Sequence, residues 1–293
     1  MKAAFLSDRG VVRVTGDDAR HFLNNIVTAD IENLAPGTAR YAALLTPQGK
    51  IIVDFLVTTA ADGSFYFDCP AGRAGTLAAR LKFYKLRAKV TIEDLSDHLG
   101  IVAAWPGSAA TEHETSYPDP RLAALGSRLI VPRETAKQAV ADTGARPADA
   151  AAYHTHRVAL GIPEGGLDFA YDETFPHEAD MDQLGGIDFD KGCYIGQEVV
   201  SRVEHRGSAR SRVVPATLDG PAPAPGTAVM AGDKQIGTLG SAADGRALAL
   251  LRLDRVADAI EAATPMTAGG ISVRPVRPDW SDFPWPGEAT AQA

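Results

Sequence analysis

The chain has 293 residues, 45% of them apolar and 23% charged, and a net charge of −8. That length exceeds a single hydrophobic core and predicts two or three domains, while the acidic balance excludes a broad nucleic-acid footprint, though not a local basic patch. Its two cysteines, Cys69 and Cys193, exclude a disulfide framework and are too few to complete a four-thiolate cluster site within one chain.

Residues 3–14 alternate weakly and predict a first strand, after which Asp17-Asp18 open a helix carrying His21-Phe22-Leu23 and Ile26. No apolar run approaches the roughly 20 residues of a membrane span. The stretch Ala3-Ala4-Phe5-Leu6 is too short for a signal core, and the early Asp17-Asp18 argue against a basic, acid-poor leader. A cytosolic protein in a reducing compartment, or an already processed form, is the expectation.

Tyr41–Leu45 and Lys50–Thr59 read as strands around the turn Thr46-Pro47-Gln48-Gly49, and Asp62-Gly63 joins the second to Ser64–Asp68 as a hairpin. Asp54 interrupts the apolar run Ile51–Val57; if it points inward it needs a partner, structural or functional. From Ala74 to Ala88 the period turns helical, with Leu77, Leu81, Tyr84 and Ala88 on one face and Lys82, Lys85 and Lys89 on another. The basic face is either the solvated side of an amphipathic helix or a patch for an anionic ligand. Hairpins among helices predict an antiparallel α+β fold rather than a doubly wound sheet.

Residues 104–120 read as loop, 133–144 and Ala148–Leu160 as helices, the latter ended by Gly161-Ile162-Pro163. His154 and His156 are two apart, which suits a helix metal pair poorly. The span 161–192 is rich in Gly, Pro and acidic residues and lacks periodicity, the signature of a functional or disordered stretch. Its carboxylates are either a solvated loop or include one able to accept two N–H bonds from a 2-amino-4-oxo heterocycle such as a pterin. Beyond Arg212, short β-like runs at Val213–Leu218, Thr227–Ala231, Gln235–Leu239, Ala247–Leu251 and Ile271–Val276 predict a small antiparallel barrel. Region 1–207 is thus expected as one body of two subdomains, 212–280 as the barrel, and 287–293 as a disordered tail.

The most informative segment is Lys191-Gly192-Cys193-Tyr194-Ile195-Gly196-Gln197-Glu198. The glycines allow turn geometry and close approach. A helix over Gly196–Val203 would put its positive end near Cys193, and Lys191 adds a cation; both favour a thiolate. The opposing reading is a structural turn with a small apolar cysteine filling a gap. His177 and His205 flank the motif as possible bases or ligands, without a spacing that ties them to Cys193. The chain has no GxGxxG, GxxxxGK[ST], HExxH or CxxC.

The segment Lys191–Glu198, together with Phe175-Pro176-His177-Glu178-Ala179 and Ile187-Asp188-Phe189-Asp190, resembles the YgfZ family of folate-binding proteins. Arg202 and Arg206-Gly207 continue the motif, and Thr46–Lys50 and Arg157 with Gly161-Ile162-Pro163 extend the resemblance over nearly the whole chain. It implies an aminomethyltransferase (T-protein)-like, multi-domain α+β fold with antiparallel sheets and a closing barrel. It implies tetrahydrofolate, or a one-carbon derivative, as ligand, read by Glu178 and lined by Lys191, Tyr194, Gln197 and Arg202. It further implies a role in assembly or repair of 4Fe–4S clusters, acting with assembly proteins and cluster-bearing client enzymes and indirectly on tRNA modification. Cys193 would be the reactive residue. The alternative is a folate-dependent aminomethyltransferase or demethylase with Asp54 as its carboxylate. The aminomethyltransferases carry two adjacent aspartates where this chain reads Val53-Asp54.

Overall fold

The computed structural model describes residues 1–107, 115–205 and 209–287. Two compact units emerge: Met1–His154 with Leu184–Val199, and Thr155–Gln183 with Val200–Ala293. The fold is α+β, and nearly every strand pairing is antiparallel.

The first unit holds two five-stranded sheets. What reads as one strand over 3–14 is two, β1 (Lys2–Leu6) and β2 (Arg9–Thr15), broken at Ser7-Asp8 and shared between the sheets. After α1 (Ala19–Asn24) come β3 (Ala39–Leu45), β4 (Ile51–Thr59) and β5 (Phe65–Pro70). Gly63, at φ +83°, turns β4 into β5, and the Asp62 carboxylate accepts the Ser64 N–H at 2.9 Å. Both are the chemistry that a tight turn requires. Helix α2 (Ala71–Tyr84) buries Ala74, Leu77, Ala78 and Leu81 against this sheet's core.

Five strands were not predicted: β6 (Thr91–Asp94), β7 (Leu99–Trp105), β8 (Ser116–Pro118), β9 (Ser127–Pro132) and β10 (Arg146–Pro147). With β8 (Ser116–Pro118), β7 and β8 also replace part of the loop expected over 104–120, whose residues 108–114 lie outside the described ones. The first sheet runs β3-β4-β5-β2-β6. The second runs β10-β1-β7-β9-β8, with β10 (Arg146–Pro147) parallel to β1. Helix α3 (Ala136–Asp142) packs Ala136, Ala139 and Val140 on it. Helix α4 (Ala150–Leu160) follows, as the apolar period indicates.

The basic stripe on α2 is not one helix face. The helix ends at Tyr84, Leu86 turns left-handed at φ +45°, and Lys85 and Lys89 lie beyond the helix. Helix α5 (Gln197–His205) buries Val200 rather than the Ile195/Val199/Val203 row, although Ile195 packs on the first unit's core.

The second unit is built on a closed barrel of β11 (Ser211–Leu218), β14 (Arg246–Arg252), β13 (Lys234–Ala243), β12 (Ala228–Ala231), β15 (Met266–Ala268) and β16 (Ile271–Pro275). Closure pairs β11 with both β14 and β16, so no edge remains. Strand β15 and helix α6 (Leu253–Glu261) were not predicted. Most of the span 161–192 is irregular, as expected, except for one 3₁₀ turn at Pro176–Ala179. Arg206-Gly207 and the tail 288–293 lie outside the described residues.

Candidate functional site

The cysteine segment is held by backbone recognition rather than by an apolar core. The Asp188 carboxylate accepts the N–H groups of Asp190 and Lys191, each at 2.9 Å, which makes the turn. Asp188 itself donates its N–H to the Thr28 carbonyl at 2.9 Å. The Thr28 hydroxyl donates to the Gly186 carbonyl at 2.6 Å and accepts the Ala43 N–H at 2.9 Å, tying the turn to β3.

Lys191 is engaged by the chain leaving α1. Its ammonium donates to the carbonyls of Asn24, Val27 and Ala29 at 2.6, 2.8 and 2.7 Å. Three donors meet three acceptors, the full complement of an ammonium. Burial lowers its pKa to about 8, against the pull of Asp188. The charge also lies 5.5 Å from the centre of the Tyr194 ring. Tyr194 is 6% exposed, and its hydroxyl has no hydrogen-bond partner among the described residues. Burial, and secondarily the Asp188 charge, pushes this phenol up to about 12.

Gly196 and Gly49 explain the remaining spacing. Gly196 has φ +82°, and a Cβ there would stand 2.7 Å from the Thr46 carbonyl oxygen. A Cβ on Gly49 (φ +80°) would stand 3.0 Å from Val199 Cβ. The motif backbone therefore lies directly on the β3–β4 turn, a closeness only glycine permits. Cys193, exposed and outside any disulfide, sits on this anchored loop. It lies four residues ahead of Gln197, where α5 begins, and a helix dipole acts mainly within its first turn. The Lys191 ammonium is engaged by three main-chain carbonyls. Cys69 is different: it is buried in β5, Sγ 3.9 Å from the Gly10 carbonyl, and burial pushes its thiol up.

Asp54 lies in the same unit but within a separate cluster. It is 5% exposed on β4 and accepts the Tyr41 hydroxyl at 3.1 Å from β3. The Arg121 guanidinium lies 5.6 Å from the Tyr41 ring centre. Arg121 grips Asp119 with Nε and Nη2 at 3.0 and 2.7 Å. Arg128 reaches Asp119 at 3.3 Å, Asp68 at 2.6 Å and the Tyr153 hydroxyl at 2.9 Å. Arg9 meets the other Asp68 oxygen at 2.6 Å. Burial works against ionisation of Asp119, yet Arg121 and Arg128 hold it down to about 2. This chain of arginines and aspartates joins the two sheets of the first unit, with the ionic groups paired as burial demands. Of its members the sequence singles out Asp54 alone. Asp68, a lone charge among the apolar residues of β5, carries the same kind of signal but was not singled out.

The motif residues Lys191, Cys193 and Tyr194 thus share one loop in the first unit, with Gln197 at the start of α5 beside it, and Asp54 joins the arginine–aspartate cluster. Glu178 and Arg202 belong to the second unit. Glu178 caps the 3₁₀ turn, its Oε2 accepting the Phe175 N–H at 2.9 Å, and Arg202 is exposed on α5. In the same unit, Arg157 is buried and donates to the Ile162 carbonyl at 2.5 Å and to Asp168 at 2.7 Å. That contact accounts for its pairing with Gly161-Ile162-Pro163. A cleft of about 380 Å³ beside the cysteine loop is lined by Asp30, Arg40, Ile187, Asp188, Phe189 and Asp190, and by none of the seven predicted site residues.

Residues 6–112 match the family described as the GCVT N-terminal domain, and residues 210–283 the CAF17 C-terminal beta-barrel domain. The mouse iron-sulfur cluster assembly factor IBA57, mitochondrial, is 32% identical over 97% of this chain and 85% of its own length. The human protein of the same name is 29% identical over 96% and 84%. The IBA57 homolog of Neurospora crassa is 32% identical over 74% of this chain, which spans about half, 54%, of that longer protein. Among solved structures, the glycine cleavage system aminomethyltransferase T from Bartonella henselae superposes with a TM-score of 0.73 over 97% of this chain and 87% of its own, at 17% identity; that likeness establishes the fold. The relatives are labelled mitochondrial, which overturns the cytosolic expectation drawn from the N-terminal composition. No helix among the described residues is long and apolar enough to cross a membrane.

Proposed function

The chain belongs to the family of the iron–sulfur cluster assembly factor IBA57, and from that membership we propose that it is a folate-binding accessory protein for assembly or repair of 4Fe–4S clusters, with Cys193 as its working residue. The observation that carries the proposal is an exposed thiol on a loop anchored at Lys191, Asp188 and Gly196. Handing over a cluster or sulfur species requires a thiol that is accessible and fixed in position. Cys69 is buried, so one chain offers a single reachable thiol. A cluster on it needs further ligands from glutathione, a partner or a second copy. Assembly proteins and cluster-bearing client enzymes are the partners this implies, and tRNA modification follows only through such a client.

Tetrahydrofolate, or a one-carbon derivative, is the proposed ligand. The residues fit it in part. Glu178 uses Oε2 for its own turn, which leaves Oε1 for a pterin N–H; a two-point contact requires the cap at Phe175 to open. Lys191 is taken by three carbonyls, so its contribution to a folate site is to place the loop.

Complementation tests the proposal. In a strain lacking its own copy, the wild-type protein restores a 4Fe–4S enzyme such as a tRNA methylthiolase, and well-expressed Cys193→Ser does not. Equal rescue by both makes Cys193 structural and overturns the assignment.

A further inference from the structure

We propose that His177, Asp182 and Glu204 of the second unit bind one divalent transition-metal ion of the borderline class, such as zinc, manganese or iron(II). One imidazole nitrogen and one oxygen from each carboxylate all lie within 4.8 Å of one another. Ligand atoms around a single ion with bonds of about 2.1 Å stand roughly 3–4 Å apart, so small side-chain adjustments close the set. The residues come from two elements: the 3₁₀ turn and its continuation supply His177 and Asp182, and α5 supplies Glu204. His177 is buried, while the Glu204 side chain is 46% exposed, so the cluster has a fixed inner ligand and an accessible outer one. His177 Nε2 already lies 3.0 Å from Glu204 Oε2.

The surroundings have the character of an outer coordination shell. Arg212 holds Asp182 with two hydrogen bonds of 2.9 and 2.7 Å, and Gln183 adds a third at 3.1 Å. Hydrogen bonds of this kind orient metal-binding carboxylates. A separate observation points to missing positive charge. Asp180, fully buried, shares the Arg212 Nη1 donor at 3.0 Å, and its Oδ2 has no hydrogen-bond partner among the described residues. Three carboxylates, Asp180, Asp182 and Glu204, therefore gather around one guanidinium and one imidazole. A donor set of one imidazole and two carboxylates, without thiolate, selects zinc, manganese or iron(II) over copper(I).

The test is equilibrium dialysis of the full chain, stripped of metal, against zinc and manganese salts, with thermal melts in parallel. The expected result is one equivalent bound and a raised Tm. Glu204→Gln, at a half-exposed position that keeps the fold, weakens binding about tenfold or more. His177→Gln abolishes it, and Cys193→Ser leaves it unchanged. Failure to bind at 100-micromolar metal (on the order of a weak protein site), or binding that survives Glu204→Gln, or binding lost only in Cys193→Ser, overturns the proposal.

Discussion

The ammonium of Lys191 ends on the main-chain carbonyl of Asn24 at 2.6 Å, across 167 residues of sequence. With the Val27 and Ala29 carbonyls it forms a latch that fixes the loop carrying Cys193 to the chain leaving α1. The first consequence concerns Lys191→Met. It removes three charge-assisted hydrogen bonds and leaves half-buried carbonyls unmet, a loss of about 2–3 kcal/mol. Urea unfolding should show that loss, and hydrogen exchange should show residues 186–196 opening first. Lys191→Arg should not restore the latch, because a planar guanidinium does not match three carbonyls converging on one point. Full stability in Lys191→Arg would contradict this geometry.

The two motif glycines separate conformation from flexibility. Gly196→Ala forces a left-handed residue and a Cβ into contact with Thr46, and is expected to destabilise by about 1–3 kcal/mol. Gly192→Ala meets nothing within 4 Å and has no positive φ, so its melting temperature should match wild type. Equal melts for the two variants would remove the close approach to the β3–β4 turn as the reason for Gly196.

Asp119 should govern part of the acid limb of stability. Its folded pKa of about 2 lies below the ordinary 3.8, so the stabilisation is fully present above about pH 4 and is lost as pH falls toward 2. The difference corresponds to roughly 2 kcal/mol. Asp119→Asn should flatten that part of the urea-midpoint profile. It should also lower stability at neutral pH by about 3–5 kcal/mol, because Arg121 and Arg128 lose a buried partner. An unchanged acid limb would remove Asp119 as its source.

Asp54→Asn distinguishes cluster maturation from one-carbon chemistry. The amide oxygen can still accept the Tyr41 hydroxyl, so the expected stability change is only about 1 kcal/mol. Rescue of the 4Fe–4S enzyme should persist. A stable Asp54→Asn protein that no longer rescues would return the carboxylate to the centre of the chemistry.

The β3–β4–β5 meander was legible because Thr46–Gly49 and Asp62-Gly63 are turn chemistry between apolar runs, and five barrel strands were legible for the same reason. Strands β7 and β9 were missed: Leu99–Trp105 and Ser127–Pro132 are buried on both faces and show no alternation. Strand β15 is only three residues long, below the length at which a pattern registers. Asp54 was noticed because a lone charge breaks an apolar strand. Its arginine partners were not, since a charged residue in a loop or strand end carries no sign of where it will be buried.

By itself the sequence determined the α+β class, the barrel, the hairpins and the motif around Cys193, because turn residues and apolar period are local properties of the chain. Tertiary structure alone decided that Lys191 binds three main-chain carbonyls, that Gly196 rests on Gly49, and that His177 faces Glu204. Each of these depends on which carbonyl or carboxylate arrives from a distant segment, and no local spacing encodes that arrival.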